Sequence, residues 1–301
     1  MSSSVLFDAP GPKARTRHRI LAVIGLLAVL AMAYWVYGRM DEKNQFTAAR
    51  WSPFLTWSAW DNYLIPGALA TLRAAAIAIV ISGVLALALA MARMSDIKPV
   101  RWAAGVFVEF FRAVPVLVMM IFSLALLNQL SVTPTSLNPL IATVSGLVWY
   151  NASVLCEVIR NGVSSLPAGQ REAGLSIGLT PSQTRRSILV PQALTAMLPT
   201  LVSQIIVILK DSALGYIILY PELLTIGARQ LGSRYGNTLQ AYIIAAVLFI
   251  LINYTLSKIA EAVESRQRRK GRTAGPVGSA EVLEQPSTAG GPDMTANTQI
   301  N

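Results

Sequence analysis

The chain has 301 residues, of which 53% are hydrophobic and 13% are charged. Soluble domains carry about 25% charged residues, so this composition excludes an ordinary soluble protein and equally a disordered or collagen-like chain. The formal net charge is +10, but the basic residues lie between and beyond the apolar stretches, which favours membrane topology over nucleic-acid binding. Cys156 and His18 are the only cysteine and histidine, so we expect no disulfide, no metal site and no catalytic centre.

The first apolar stretch follows a basic segment and ends in aromatic residues instead of a small-residue cleavage site. It is therefore predicted to be an uncleaved helix. The next stretches are each long enough to cross the roughly 30 Å hydrocarbon core of a bilayer, and Pro115 is expected to kink the third. We predict about six spans, at residues 20–37, 74–92, 102–129, 140–157, 187–209 and 239–258.

The distribution of basic residues predicts the orientation of these spans. Seventeen Lys and Arg residues fall in regions inside the cell if the amino terminus is cytoplasmic, against six in the outside regions. This bias predicts a protein of the plasma membrane with both termini in the cytoplasm. The predicted units are a basic cytoplasmic segment, a leading helix with an extracytoplasmic segment, a transmembrane domain and a disordered cytoplasmic tail, at residues 1–19, 20–61, 62–262 and 263–301.

The segment at residues 161–191 joins the fourth and fifth spans and has the pattern of a helical hairpin. Pro167 fits the first turn of a helix, and Gly178 can adopt the left-handed conformation that ends it. Thr180 and Gln183 form a capping-box pattern that starts a second helix, with Pro181 at its first position. A compact hairpin suits docking to a cytoplasmic protein, although composition alone favours a plain connector.

The same segment resembles the cytoplasmic EAA loop of ABC importer permeases. That family's pattern is Glu-Ala-Ala, three residues, Gly, nine residues, Ile, one residue, Leu, Pro, and the spacing matches at every step. Gly174 replaces the second Ala and Val190 replaces the Leu. Because glycine destabilises a helix by about 1 kcal/mol relative to alanine, we expect Gly174 to loosen the first helix.

Further motifs in family order extend the resemblance over residues 60–262 and narrow it to the polar amino acid branch. The amino terminus through Arg50 is similar to the longer front end of actinobacterial glutamate permeases. One departure is that Ser212 follows Asp211 directly, where the branch usually has Thr before Ser. The motifs are Gly67-Thr71-Leu72, Val108 to Arg112 with Pro115, Glu157 to Arg160, Gly169-Gln170-Glu172, Pro191-Gln192-Ala193, and Lys210 to Ser212 with Leu214.

The resemblance implies an all-α polytopic permease subunit, with one leading helix ahead of a five-helix core. It would pair with a second permease subunit, identical or related, and dock two ATPase copies through its cytoplasmic loop. An extracytoplasmic binding protein would deliver a polar amino acid, most simply glutamate. The chain has no Gly-x-x-x-x-Gly-Lys-Ser/Thr phosphate loop, so ATP and Mg²⁺ are expected on the partner ATPase and no cofactor on this chain.

The candidate site residues fall into three groups. The ATPase-coupling group is Gly169, Gln170, Glu172, Ala173, Gly174, Gly178, Ile188 and Pro191. Glu109 and Arg112 are three residues apart on one helix, which favours a structural pair over substrate contact. The candidate pathway residues are Arg73, Asn151, Gln204, Lys210 and Asp211.

Each pathway candidate has an alternative. Lys210 or Arg73 could complement the second carboxylate of an acidic substrate, whereas Lys210 and Asp211 could simply hold the fold together. Asn151 and Gln204 could face a pore or bridge two helices. For the whole chain, the alternatives are a secondary transporter and a membrane scaffold that does not transport.

Overall fold

The computed structural model describes residues 11–273, which form helices and turns without a β-strand. This confirms the predicted all-α polytopic class. The longer helices are α1 (Pro12–Glu42), α2 (Ile65–Arg93), α3 (Lys98–Ala113), α4 (Val116–Leu130) and α5 (Asn138–Ser164). They are followed by α6 (Ala168–Ser176), α7 (Pro181–Thr184), α8 (Val190–Ala196), α9 (Leu198–Asp211) and α10 (Thr238–Thr273).

Helices α2 and α5 form the centre of the molecule. Small residues of α2 recur at about four-residue spacing, so one face of this helix lets α5 approach closely. Both helices begin with proline in the first turn, where the missing N–H has no intrahelical partner to lose. The fully buried small residues of that face are Ala74, Ala78, Ala86 and Ala90.

Within residues 11–273, five helices are long and apolar enough to span a membrane, and there are six spans if α3 and α4 count as one. The predicted kink at Pro115 is a complete break, because α3 and α4 meet at 101°. Val114 is extended, with φ −85° and ψ 128°, as expected for a residue before proline. The third predicted span, 102–129, is therefore two helices instead of one kinked helix.

The fifth predicted span begins too early. The apolar helical segment runs from Leu198 to Ile218, not from residue 187 to 209. Residues 187–197 belong to the preceding connection, where a π-helical turn (Arg185–Leu189) leads into α8. The apolar pattern continued across this boundary, so hydropathy alone did not locate it.

The leading helix α1 stands apart from the rest of the chain. No residue of its most apolar 18-residue window is buried within the described structure. The segment after it packs on the core, because Phe54 and Ala59 share a buried cluster with Leu223 and Leu231. Asn237 Nδ2 also donates to the Arg50 carbonyl at 2.9 Å. Packing thus crosses the boundary that the sequence suggested at residue 61.

At the other end, α10 continues to Thr273. Residues 263–273 are therefore helical, although the sequence analysis assigned them to a disordered tail. The remainder of that predicted tail, residues 274–301, and the first ten residues of the chain lie outside the described residues.

Candidate functional site

The connecting hairpin (residues 165–197) joins α5 to α9, and its turn has the predicted geometry. Gly178 has φ +86°, a left-handed conformation that favours glycine. The Leu179 N–H donates to the Gly174 carbonyl at 3.2 Å, and the Gly178 N–H donates to the Leu175 carbonyl at 3.0 Å. This pair of bonds is a Schellman motif, which satisfies the last carbonyls of α6 and fixes the direction of the chain.

The second helix of the connecting hairpin begins with the predicted capping box. The Gln183 N–H donates to Thr180 Oγ1 at 3.3 Å, and the Thr180 N–H donates to Gln183 Oε1 at 2.8 Å. Both bonds satisfy amide groups at a helix start that would otherwise lack partners. The turn between α6 and α7 is therefore fixed on both sides by hydrogen bonds.

Gly174 has a different role from the one that its helix propensity suggests. It is the only residue of α6 that is buried. A Cβ at this position would lie 2.6 Å from Thr184 Cγ2 and 3.1 Å from Ile188 Cδ1. The missing side chain therefore allows the two helices of the hairpin to touch, which stabilises the unit that the propensity argument expected to be loose.

Two polar contacts hold the connecting hairpin in place. Gln192 Nε2 donates to Gln170 Oε1 at 3.0 Å and ties α8 to α6. The Arg185 guanidinium donates two bonds to the Asp96 carboxylate, at 3.0 and 2.7 Å, and so ties the hairpin to the turn between α2 and α3. These bonds from Arg185 lower the pKa of Asp96 below its ordinary value. Arg185 is thus a specific contact, not a basic residue that serves topology alone.

The connecting hairpin exposes large apolar side chains together with charged ones, among them the carboxylate of Glu172. Glu172 is exposed and forms no ion pair within residues 11–273. Ile177 is 75% exposed and Leu175 is 37% exposed, beside the Gly178 turn. Large exposed apolar side chains next to a rigid turn are typical of a protein-docking surface. Among the predicted coupling residues, Glu172 is free for a partner, whereas Gly174 and Gly178 shape the hairpin.

A cluster of ion pairs joins the last residue of α2 to the second half of α3 and to the carboxyl-terminal part of α5. The half-buried Arg93 donates to Glu157 at 3.0 Å and to Glu109 at 3.1 Å. Glu157 also accepts two bonds from Arg160, at 3.0 and 2.9 Å. Charged groups in an apolar setting are stable only when they are paired in this way. The cluster therefore fixes three helices to one another just behind the connecting hairpin.

The predicted pair of Glu109 and Arg112 is present but weak. Its nitrogen–oxygen distance is 3.5 Å, and the Glu109 side chain is 60% exposed. The closer partner of Glu109 is Arg93, which the sequence analysis had counted only toward topology. Gly105 makes this possible, because a Cβ there would lie 2.5 Å from the Arg93 guanidinium.

The pathway candidates do not form one site. Gln204 Nε2 donates to Asn151 Oδ1 at 2.7 Å, and Asn151 is fully buried, so these two residues bridge α9 and α5. Lys210 and Asp211 form no ion pair with each other or with another described residue. No ion pair among the described residues therefore supports the alternative that Lys210 and Asp211 stabilise the fold as a pair.

Arg73 lies elsewhere, beside a cavity of about 310 Å³ at the opposite end of the helices from the connecting hairpin. The cavity is also lined by Ser136 of the turn between α4 and α5 and by Tyr220. The Tyr220 hydroxyl donates to the Ala70 carbonyl at 2.8 Å and closes one wall. No carboxylate of residues 11–273 pairs with Arg73, so its charge is available to an anion.

The roles of Arg93, Asp96 and Gly105 were not predicted from the sequence. The residues that flank each of them in the sequence do not distinguish it from other surface or helix residues. The role of each depends on contact with a residue between 12 and 89 positions away in the chain. Charged residues at the end of an apolar span were the only available signal, because ionisable groups there need partners.

Comparison with known proteins agrees with this architecture. A family model described as "Binding-protein-dependent transport system inner membrane component" matches residues 83–269. The chain is 42% identical to the glutamate transport system permease protein GluD of Corynebacterium glutamicum, over 82% of this chain and 89% of that protein. It is 31% identical to the glutamate/aspartate import permease GltK of Escherichia coli O6:H1, over 68% of this chain and 93% of that protein.

Solved structures give the same result for the fold. A crystal structure of an amino acid ABC transporter with histidines matches with a TM-score of 0.61 and 31% identity, over 67% of this chain and 93% of that chain. The methionine transporter MetNI, in an inward-facing conformation, matches with a TM-score of 0.55 at 19% identity, which supports the fold alone. The chain belongs to the family of binding-protein-dependent transport system inner membrane components, the membrane-spanning permeases of ABC importers.

Proposed function

We propose that this permease subunit moves a polar L-amino acid, glutamate, across the plasma membrane by alternating access. The observation that carries the proposal is the connecting hairpin, a rigid unit with an exposed apolar face and an exposed carboxylate at Glu172. A rigid lever can transmit a displacement from a partner to the helices behind it, whereas a flexible loop cannot. The chain itself makes and breaks no bond.

The proposed partner at the connecting hairpin is a dimer of ABC ATPase subunits, which would bind ATP and Mg²⁺. Displacement of the hairpin would reach α2 and α3 through the Asp96–Arg185 pair and α5 through the Arg93–Glu157 pair. A second permease subunit, identical or related, would complete the path, and an extracytoplasmic binding protein would deliver the substrate. The hairpin, and with it both chain termini, would face the cytoplasm.

The choice of glutamate rests on the relatives. Two of them are named for glutamate or for glutamate and aspartate, while a Bacillus subtilis relative of 32% identity is named as a probable glutamine permease. The uncompensated charge of Arg73 beside a cavity suits a substrate with an additional carboxylate. Arg73 is accordingly our candidate for substrate selection, ahead of Lys210.

Reconstitution tests the proposed function. The chain would be purified with its ATPase and second permease subunit, placed in proteoliposomes and supplied with the binding protein and labelled L-glutamate. We expect accumulation that requires ATP and Mg²⁺ on the hairpin side and is reduced by unlabelled glutamate more than by glutamine or arginine. Accumulation driven by an ion gradient without the ATPase would instead identify a secondary transporter.

The Arg73→Gln variant separates substrate choice from transport itself. We expect it to lower the preference for glutamate over glutamine while ATP-dependent glutamine uptake persists. Lys43→Gln, which removes a positive charge from an exposed residue that does not line the cavity, is the control. An unchanged preference would exclude Arg73 as the selecting residue.

A further inference from the structure

A basic cavity of about 760 Å³ lies beside the ion-pair cluster and shares Arg93 and Glu109 with it. Its other lining residues have no part in the function described above. One face of α3 forms most of its wall, because positions 98, 101, 102, 105, 106 and 109 recur at three- and four-residue spacing. Arg93, the last residue of α2, closes the other side. The cavity therefore lies where a membrane-spanning helix ends and α3 begins.

The charges in this cavity leave two cations available. Arg93 is engaged by Glu157 and Glu109. The Lys98 side chain has no ion pair or hydrogen bond with any residue of 11–273, and the Arg101 side chain donates only to the Ser95 carbonyl, at 3.2 Å. The neighbouring carboxylate of Asp96 is already bonded to Arg185. An anion in the cavity would thus meet Lys98 and Arg101 without displacing an existing partner.

The apolar residues around the cavity indicate a membrane surface. Trp102 is 72% exposed, Ile97 is 62% exposed and Val106 is 51% exposed. Tryptophan is enriched at the level of lipid headgroups, where its ring faces acyl chains and its N–H faces water. A row of large apolar side chains beside two free cations is the arrangement of a helix that lies in the membrane interface.

We propose that this cavity binds the phosphate headgroup of an anionic phospholipid, with Lys98 and Arg101 on the phosphate and Trp102 against the glycerol and upper acyl chain. The lipid would belong to the leaflet on the same side as the connecting hairpin, because the α2–α3 turn contacts the hairpin through Asp96 and Arg185. Basic pockets between membrane helices are suited to such headgroups. A bound lipid would also lie against Arg93 and so against the ion-pair cluster.

Quenching of Trp102 fluorescence tests the proposal in the full chain. Nanodiscs of phosphatidylcholine would contain increasing fractions of brominated phosphatidylglycerol or, in a parallel series, brominated phosphatidylcholine. The Trp102 signal is the difference between the parent chain and Trp102→Phe. We expect phosphatidylglycerol to reach half-quenching at a mole fraction roughly tenfold lower, since two interfacial cations contribute at least that preference.

Charge variants identify the residues responsible. The double variant Lys98→Gln, Arg101→Gln should lose the preference for phosphatidylglycerol, whereas Arg171→Gln, Arg186→Gln, which removes the same charge from the connecting hairpin, should keep it. Equal quenching by the two brominated lipids, or a preference that survives in the first double variant, would overturn the proposal. Loss of the preference on addition of inorganic phosphate would also overturn it, because the cavity would then be a site for a soluble anion.

Discussion

Gly174 shows how one residue can have opposite effects at two levels. Glycine weakens an isolated helix, yet here it is the point where α6 touches Thr184 and Ile188. Thr184 Oγ1 is buried without a hydrogen-bond partner, so this contact is formed by shape alone. The contact between α6 and α7 therefore depends on the absence of a Cβ at Gly174, and not on the backbone flexibility of glycine.

The first prediction follows from this contact. Gly174→Ala should reduce ATP-driven uptake, because overpacking of this kind costs about 1 to 3 kcal/mol and would move α6 relative to α7. Thr184→Ala, which removes both atoms nearest to the new Cβ, should restore uptake in the double variant. Uptake by the reconstituted complex is the measurement, and Thr184→Ala alone is the control. Uptake in Gly174→Ala equal to that of the parent would contradict the packing role.

A second prediction concerns the bond between Asp96 and Arg185. Arg185 lowers the pKa of Asp96, so the carboxylate is ionised at neutral pH and loses its charge at a lower pH than an unpaired aspartate, whose ordinary range of titration lies at about pH 4. The stability from the pair is present above that range and is lost as pH falls through the lowered pKa. We therefore expect the position of the hairpin to be unchanged from pH 8 to pH 5. The measurement is the distance between spin labels attached at residues 95 and 176.

Asp96→Asn tests the same bond at neutral pH. It should broaden that distance distribution and reduce uptake, because the neutral amide cannot replace the two charge-assisted bonds. Reversal of the pair, Asp96→Arg with Arg185→Asp, should recover part of the loss. A distribution as narrow as that of the parent in Asp96→Asn would show that the pair does not hold the hairpin.

Among the elements, the break between α3 and α4 has the clearest physical cause. Pro115 prevents the helix from continuing, and aromatic side chains then hold the bend. The Phe111 ring centroid lies 4.6 Å from that of Phe107 and 5.3 Å from that of Trp149. These contacts join α3, the helix before the break, to α5.

A third prediction tests this aromatic cluster. Phe111→Ala should lower the free energy of unfolding by about 3 kcal/mol, because it removes packing that joins two helices. Phe122→Ala is the matched control, since this ring is 66% exposed and has no ring contact among the described residues. Thermal unfolding in detergent is the measurement. Equal shifts for the two variants would show that the cluster does not stabilise the bend.

The sequence predicted elements well where the signal was local. The Schellman turn at Gly178 and the capping box at Thr180 involve residues within a few positions of one another, and both are present. Hydropathy placed most spans but missed the start of α9, because apolar residues continue through α8 without a change in pattern. The position of the break at Pro115 was predicted, but its angle of 101° was not, because a proline in the sequence does not state how far the next helix turns.

The candidate site shows the same division. The connecting hairpin was predictable from spacing, whereas the ion pairs behind it join residues 64 and 89 positions apart. A single sequence gives no means to pair such residues. For Gln204 and Asn151 the sequence left two alternatives, that they face a pore or that they bridge two helices. The distance of 2.7 Å between Gln204 Nε2 and Asn151 Oδ1 favours the bridge.

For the whole molecule, the central question is which side of the membrane carries the connecting hairpin. In the background Cys156→Ala, a cysteine at Ser176 should resist a membrane-impermeant thiol reagent in intact cells and react after lysis. Ser136→Cys is the control, because it precedes α5, whose other end leads into the hairpin, and it should react in intact cells. Reaction of the Ser176→Cys variant in intact cells would reverse the proposed orientation.

A further prediction addresses coupling across the complex. Glu172→Lys should abolish ATP-driven uptake while the chain still inserts in the membrane, because an exposed side chain contributes little to the fold but reverses charge at the proposed ATPase contact. Ser182→Lys, also exposed on the connecting hairpin, is the control for added charge. Copurification with the ATPase is the second measurement. Full uptake in Glu172→Lys at parental expression would refute the docking role.

The contact between residues 45–51 and the start of α10 has a consequence for biosynthesis. Gln240 donates to the Gln45 carbonyl at 2.7 Å across 195 positions of chain, and Arg50 donates to the Gly236 carbonyl across 186. A ribosome delivers residues in order, so residues 45–51 lack this partner until the start of α10 is translated. Nascent chains halted before residue 236 should therefore be unusually sensitive to membrane proteases, and those released after α10 should not.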